Sequence, residues 1–281
     1  MPRLLITGGS GTLGGPLSVQ AVKAGWDTTC TYLIHPDRIR AGHPVQLDLR
    51  ERDAVEALVL DLRPDVIIHT AVTERSGDGF EEAIWLASRT VAGAAAKSGA
   101  RLIGLSTDLV FDGSEELYTE ESFPRPHPNS VYGFYKLDGE WAMQNLCPTT
   151  LIVRTSLIYD FQPGNAQVAW MLRTIERGEP VRLFTDQIRC PIWAFNLADA
   201  LLELAGMDIT GMLHVVGPEP LSRYDLGMAL LRALGIDPLA HVVPATAPDT
   251  MPRRLVLSVD RARSLLKTPL LTVDEAQKHK E

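Results

Sequence analysis

Leu4-Leu5-Ile6-Thr7-Gly8-Gly9-Ser10-Gly11-Thr12-Leu13-Gly14-Gly15 decides how this chain is read. Arg3–Thr7 has the apolar run of a buried strand, and Thr12–Ala24 has helical spacing closed by Gly25. Between them Gly8, Gly11 and Gly14 stand at G-x-x-G-x-x-G spacing. The first glycine permits a tight turn, the second lets backbone approach a phosphate, and the third lets the helix pack close to the strand. The free N–H groups and positive end of the following helix then face the anion. A strand, this turn and a helix start are the context in which the motif means dinucleotide binding. Ser10, Thr12 and Leu13, with the three glycines, are therefore the expected pyrophosphate ligands.

Strand and helix patterns alternate outward from that turn. Thr28–Leu33, Val66–His69, Leu102–Leu105 and Thr150–Arg154 read as strands; Asp53–Leu62, Phe80–Ser98 and Val131–Asn145 read as helices. Such alternation gives parallel strands joined by right-handed crossovers, with helices on both faces. The predicted fold is α/β, a Rossmann-type doubly wound parallel sheet. After about residue 155 the pattern loosens. Helices are expected at Ala166–Arg177, Asn196–Ala205 and Ser222–Leu234, with short strands at Val181–Phe184, Met212–Val216 and Leu255–Ser258. This predicts a dinucleotide-binding domain over residues 1–155. A smaller α/β substrate-binding domain over 156–281 would lie above the carboxyl edge of the sheet, with some segments returning to the first domain.

Composition excludes several classes. The formal charge of −8 is wrong for a nucleic-acid binder, which needs a basic face. Apolar runs such as Leu58–Leu62 are too short to span a bilayer, and the first residues lack a signal-peptide pattern, so a cytoplasmic protein with no membrane partner is expected. Cys30, Cys147 and Cys190 are odd in number and form no CxxC pair, and no HExxH is present; they read as incidental thiols, and no metal-ligand set is predicted. Oligomeric state and any Mg²⁺ requirement are open at this level.

The end of the second strand bears on cofactor choice. An NAD-selective site places a carboxylate about 20 residues past the glycines, to bind the ribose 2′-hydroxyl. Cys30-Thr31-Tyr32-Leu33 stands there instead, followed by His35, Arg38 and Arg40. Without a carboxylate at Tyr32, and with Arg38 at hand, NADP(H) is expected over NAD(H).

Tyr132 and Lys136 lie four apart at the start of a helix and share one face. A phenol with its ordinary pKa near 10 exchanges protons poorly at neutral pH. An adjacent ammonium stabilises the phenolate, and a shift of about three units corresponds to about 4 kcal/mol. Lys136 can also hydrogen-bond the nicotinamide ribose. Ser106-Thr107-Asp108 directly follows the strand Leu102–Leu105, which places the Thr107 hydroxyl where a substrate oxygen would sit. Thr107, Tyr132 and Lys136 are the candidate catalytic set.

With those residues in place the chain resembles the extended short-chain dehydrogenases/reductases, and within them the dTDP-4-dehydrorhamnose reductase family. The matching segments are TGGSGTLG (7–14), LDL (47–49), RPDVIIHTA (63–71), STDLVFDG (106–113), VYGFYKLDGE (131–140) and VRTSLIY (153–159). TDQIRCP (185–191), GMLHVVGPEPLSRYDL (211–226) and RRLVLSVDRARSLL (253–266) extend the likeness over nearly the whole chain. The resemblance implies reduction, with NADPH or NADH, of the 4-keto group of a nucleotide-linked deoxysugar. It makes Tyr132 the proton donor, Lys136 its modulator, and Thr107 a ligand of the reacting carbonyl. It sets Asp48 and Leu49 beside the adenine, and Ala71, with Thr70 and Val72, beside the cofactor phosphates.

The chain departs from the family at Val72-Thr73-Glu74-Arg75-Ser76, at Leu86-Ala87-Ser88-Arg89 where an asparagine is usual, and at Arg189-Cys190 where small residues are usual. With Asp108, Trp193, Arg253 and Arg254, Arg189 is a candidate substrate contact; the last two carry guanidinium forks that match a diphosphate. His69 reads as packing or a cofactor-loop contact rather than a metal ligand, and Glu120-Glu121 as a solvated loop pair. Two other functions fit the fold. One is a sugar-nucleotide epimerase or dehydratase, of which a 4,6-dehydratase would show a carboxylate where Leu109 follows Asp108. A non-catalytic NADP(H)-binding subunit of another enzyme would have no use for the Tyr132 phenol.

Overall fold

A computed structural model of the chain describes residues 1–72 and 80–280. Strands β1 (Arg3–Thr7), β2 (Asp27–Tyr32), β3 (His43–Gln46), β4 (Val66–His69), β5 (Arg101–Thr107) and β6 (Leu151–Thr155) carry the first half. Helices α1 (Gly14–Lys23), α2 (Arg52–Leu62), α3 (Phe80–Ser98) and α4 (Val131–Leu146) connect them. The remaining elements are β7 (Ile158–Tyr159), α5 (Ala166–Glu176), β8 (Val181–Phe184), β9 (Ile188–Arg189), β10 (Ile192–Trp193), α6 (Ala194–Ala205), β11 (Gly211–His214), β12 (Leu221–Ser222), α7 (Arg223–Ala233), β13 (Val242–Ala245), α8 (Asp260–Leu265) and α9 (Val273–Lys278).

Seven of the strands form one sheet in the order β3-β2-β1-β4-β5-β6-β11, with every pair parallel. The order reverses beside β1, which is where a doubly wound sheet opens a ligand crevice. Burial explains the near-continuous apolar strands. Leu4, Ile6, Val66 and Ile68 face a core shared with Leu17 and Ala21 of α1 and Leu197, Leu201 and Leu204 of α6. Leu5 and Ile67 face the opposite core, against Val55 and Val59 of α2 and Ala87, Val91, Ala94 and Ala95 of α3. The predicted α/β doubly wound class is the observed one.

The second half returns to this sheet in one place: β11 pairs Gly211–His214 with Leu151–Arg154. A third core gathers Tyr159, Phe161, Val168, Met171, Val181, Leu183, Leu226, Leu230 and Leu231. There β8 pairs with β13, β9 with β12, and β7 with β10.

Two sequence expectations need correction. The strand expected at Leu255–Ser258 is an extended segment making isolated bridges, Leu257 to Tyr118 and Arg254 to Ile188, because its two ends meet different neighbours. Strand β3 was not predicted. It is an edge strand, mostly exposed, with Pro44 inside it, and so lacks apolar alternation. No described helix is long and apolar enough to cross a membrane.

Candidate active site

The glycine turn is built as its spacing requires. Gly8 has φ of 76°, and a Cβ there would meet Ala71 Cα at 2.7 Å. A Cβ at Gly14 would run into the Gly8 carbonyl and lie 2.6 Å from Gly9 Cα. The turn is closed by Gly11 N–H donating to the Gly8 carbonyl (3.0 Å), and it is tied to β2 by Gly9 N–H donating to the Thr31 carbonyl (2.8 Å). Helix α1 begins with Leu13 as N-cap and no side-chain cap. Pro16, which has no N–H to leave unpaired, sits in its first turn. The first N–H groups of α1 are left without a side-chain cap beside a tightly packed glycine turn, an arrangement that suits an anion such as a pyrophosphate.

Of the predicted cofactor residues, Ala71 packs directly against the turn, at Gly8. Thr70 Oγ1 donates to the Thr7 carbonyl (2.7 Å), which holds Thr70-Ala71-Val72 against Gly8. Tyr32 ends β2 half-buried, and Arg38 is exposed in a 3₁₀ turn over Pro36–Arg38. Arg40 goes further than sequence reading assigned: its side chain packs where a Cβ of Gly15 would be, at 3.1 Å, against the start of α1. Asp48 is held by Arg50, which chelates it with Nη2 at 2.6 Å, and that pairing keeps the carboxyl below its ordinary range. Leu49 is buried in the core against α2 and α3. Of the departure at Val72–Ser76, residues 73–76 lie outside the described residues.

Helix α4 presents the Tyr-Lys pair. Ser130 caps it, accepting from Gly133 N–H at 3.2 Å, and its first turn rests on the Leu109 carbonyl, where only the hydrogen of Gly133 leaves room. Lys136 is buried and its Nζ donates to the Leu105 carbonyl at 2.6 Å. Tyr132 is half-buried one turn earlier. His69 ends β4 in this neighbourhood. Its Nδ1 lies 2.7 Å from Thr7 Oγ1 and its Nε2 3.4 Å from Ser88 Oγ. Burial, with the Lys136 charge adding, pushes its ring pKa down to about 3, so it is a neutral packing residue. The unusual Ser88 is its partner.

Thr107 ends β5, buried, and accepts from Leu109 N–H at 3.2 Å. Its hydroxyl donates to Asp108 Oδ1 at 3.2 Å. The other Asp108 oxygen accepts from Ser156 Oγ at 2.6 Å and pairs with Arg189 Nη1 at 3.0 Å. Neither Ser156 nor this pairing was anticipated from sequence; the signal was there in the non-family Arg189. The neighbouring Cys190 is buried, which pushes its thiol up to about 11, and the charges of Asp108, Arg254 and Arg189 all act on it. All three cysteines are free.

The other substrate candidates are not gathered there. Trp193 packs in the third core against Phe161 and Phe195, and its indole N–H donates to Asp160. Arg253 is taken up by Asp186 and Asp249, while Arg254 is exposed and reaches the Glu116 carbonyl at 3.4 Å. Glu120 is not simply solvated: its carboxylate accepts from His214 N–H at 2.9 Å. No cluster of three His, Cys, Asp or Glu side chains that could hold a metal occurs among the described residues.

A family model described as the RmlD substrate binding domain matches residues 2–276. The chain belongs to that family, within the extended short-chain dehydrogenases/reductases, and is an oxidoreductase of that class. It is 33% identical over 267 residues to the dTDP-4-dehydrorhamnose reductase of Mycobacterium tuberculosis, covering 89% of this chain and 82% of the relative. It is 32% identical over 260 residues to methionine adenosyltransferase 2 subunit beta of Xenopus laevis, covering 87% and 75%. The crystal structure of dTDP-4-dehydrorhamnose reductase from Bacillus anthracis in complex with NADP superimposes with a TM-score of 0.82 at 25% identity, over 99% of this chain and 98% of that one.

Proposed function

We propose that this protein reduces the 4-keto group of a nucleotide-linked deoxysugar with NADPH. The observation that carries the reading is the anchoring of Lys136 on the Leu105 carbonyl, two residues before Thr107. It ties the helix that bears Tyr132 to the strand end that bears the carbonyl ligand.

Bound NADPH would supply the hydride to the carbonyl carbon. The turn Gly8–Gly14, with the start of α1, holds the pyrophosphate, and Thr70-Ala71-Val72 borders it. Arg38 and Arg40 favour a 2′-phosphate, and no carboxylate at Tyr32 opposes one. Thr107 hydrogen-bonds the substrate carbonyl oxygen, and Tyr132 gives that oxygen its proton. The Lys136 ammonium stabilises the resulting phenolate. Proton transfer by a positioned group of this kind contributes about 10²–10⁴ in rate.

Spectrophotometric loss of NADPH with dTDP-4-dehydrorhamnose tests the reading. The wild-type protein turns over, and Tyr132→Phe loses about 100-fold or more in kcat while NADPH affinity holds. Tight NADPH binding with no turnover across a panel of 4-keto-6-deoxy sugar nucleotides would reject it. The likeness to a methionine adenosyltransferase subunit favours a second reading, a cofactor-binding subunit of a partner enzyme. In that case Tyr132→Phe would leave the function intact.

A further inference from the structure

We propose that Arg189 is a positioning residue for the reaction, keeping the Asp108 carboxylate neutralised and turned so that Thr107 can bind the reacting carbonyl. The inference rests on the reductase reading and names a group that this reading does not require.

Asp108 is nearly sealed from water and receives three hydrogen bonds or ion-pair contacts from side chains. Thr107 Oγ1 takes Oδ1 at 3.2 Å; Ser156 Oγ (2.6 Å) and Arg189 Nη1 (3.0 Å) take Oδ2. The Asp108 and Arg189 side chains are 4% and 6% exposed. As a device for stability the pair is poor. Two charges lose hydration, and Arg189 Nε is buried with no partner among the described residues, which adds an unsatisfied donor. A costly arrangement of this kind is expected where function, rather than folding, selects it.

Its position supplies the function. The Thr107 hydroxyl has one proton, and its lone pairs already meet Leu109 N–H. An ionised carboxylate can only accept, so Asp108 and a substrate carbonyl compete for the same hydrogen. Arg189 and Ser156 draw the carboxylate's charge toward Oδ2, which weakens the hold of Oδ1 on Thr107 and frees the proton for substrate. The charge matters as well as the geometry. Negative charge grows on the substrate oxygen as hydride arrives, and a bare carboxylate beside Thr107 would oppose it in a low-dielectric site. Arg189 cancels that charge.

The test compares Arg189→Met, Arg189→Lys and the double variant Arg189→Met/Asp108→Asn in NADPH-dependent reduction of dTDP-4-dehydrorhamnose. NADPH titration and circular dichroism run alongside. Arg189→Met is expected to lower kcat about 10- to 100-fold, with NADPH Kd within about twofold of wild type. Arg189→Lys recovers part of the loss, and adding Asp108→Asn recovers most of it because the uncompensated carboxylate is gone. Unchanged kcat in a folded Arg189→Met overturns the inference alone. A double variant no faster than Arg189→Met also overturns it, since the loss would then come from packing. A wild-type protein that binds NADPH but reduces no ketone brings down the reductase reading, and this inference with it.

Discussion

The ammonium of Lys136 and the carbonyl of Leu105 are 2.6 Å apart and buried, so a charge on α4 is fixed to the backbone of β5. The lysine's long, flexible stem would otherwise leave its charge free to move. Anchored, that charge stays on the face of α4 that also carries Tyr132, four residues earlier. A shared helical face, read from the spacing of Tyr132 and Lys136, thereby becomes a site with a defined electrostatic centre.

Lys136→Met removes that centre while keeping most of the side-chain volume. Turnover is expected to fall about 100-fold or more, and NADPH affinity to weaken, because in the proposed reading the same ammonium also hydrogen-bonds the nicotinamide ribose. Stopped-assay kinetics and a fluorescence titration of NADPH check both. Full activity in the variant would show that the phenol needs no help from this lysine.

Gly14→Ala tests the cradle. The added methyl meets the Gly8 carbonyl and Gly9 Cα, which are backbone and cannot swing aside as a side chain would. The turn must shift, so NADPH affinity is expected to drop at least about tenfold, with overpacking costing about 1–3 kcal/mol of stability. Gly93→Ala, where a Cβ meets open space, is the control and should stabilise α3 slightly. Equal NADPH affinities for the two variants would contradict the assignment of the turn.

These sites differ in how far the sequence disclosed them. Val66–His69 and Phe80–Ser98 were legible to the residue, because a fully buried parallel strand and an alanine-rich helix carry strong local patterns. The edge strand β3 was not, since an exposed strand with a proline has no apolar period. The glycine turn could be read because each glycine answers a local steric demand. The Asp108–Arg189 pair joins residues 81 positions apart by number, and spacing says nothing of such contacts. Arg189 stood out only as a departure from related sequences, and Ser156 carried no signal at all. Trp193, next to the unusual Arg189-Cys190 segment, packs in a core, the ordinary reading of a large aromatic.

A second buried ion pair braces the same helix from behind. Arg154 on β6 grips Glu140 on α4 through Nε (3.0 Å) and Nη2 (2.8 Å), with the side chains 2% and 1% exposed. Its guanidinium also lies 5.0 Å from the centre of the Phe111 ring. Glu140→Gln or Arg154→Met alone leaves an uncompensated buried charge and is expected to cost about 3–5 kcal/mol. The double variant Glu140→Gln/Arg154→Met removes both charges and should be far less destabilised than the sum. Urea unfolding of the four proteins gives the coupling directly; additive losses would mean that the two groups do not act as a pair.

Two buried histidines set the response to acid. Burial pushes His69 down to about 3, and burial with the neighbouring Arg154 charge pushes His214 to about 3 as well. An unfolded chain binds these protons near pH 6.5, so below that the unfolded state gains protons that the native state refuses. The stability contributed by the two neutral rings is complete above pH 6.5 and is lost as pH falls toward 3. The loss is about 1.4 kcal/mol per pH unit for each histidine, or about 2 kcal/mol each by pH 5. Asp112, held at about 2, also loses its contribution on acidification, but only below the ordinary aspartate range, which leaves pH 5–6.5 to the histidines. Asp199, raised by burial, works in the opposite sense. Urea midpoints at pH 7.5, 6 and 5 should therefore fall steadily for the wild type. His214→Phe, which removes one of the two titrating rings, should halve the slope. His69→Asn should halve it too while retaining a polar group for Thr7 Oγ1. A wild-type midpoint that stays level between pH 7.5 and 5 would mean that at least one ring takes up its proton in the folded protein.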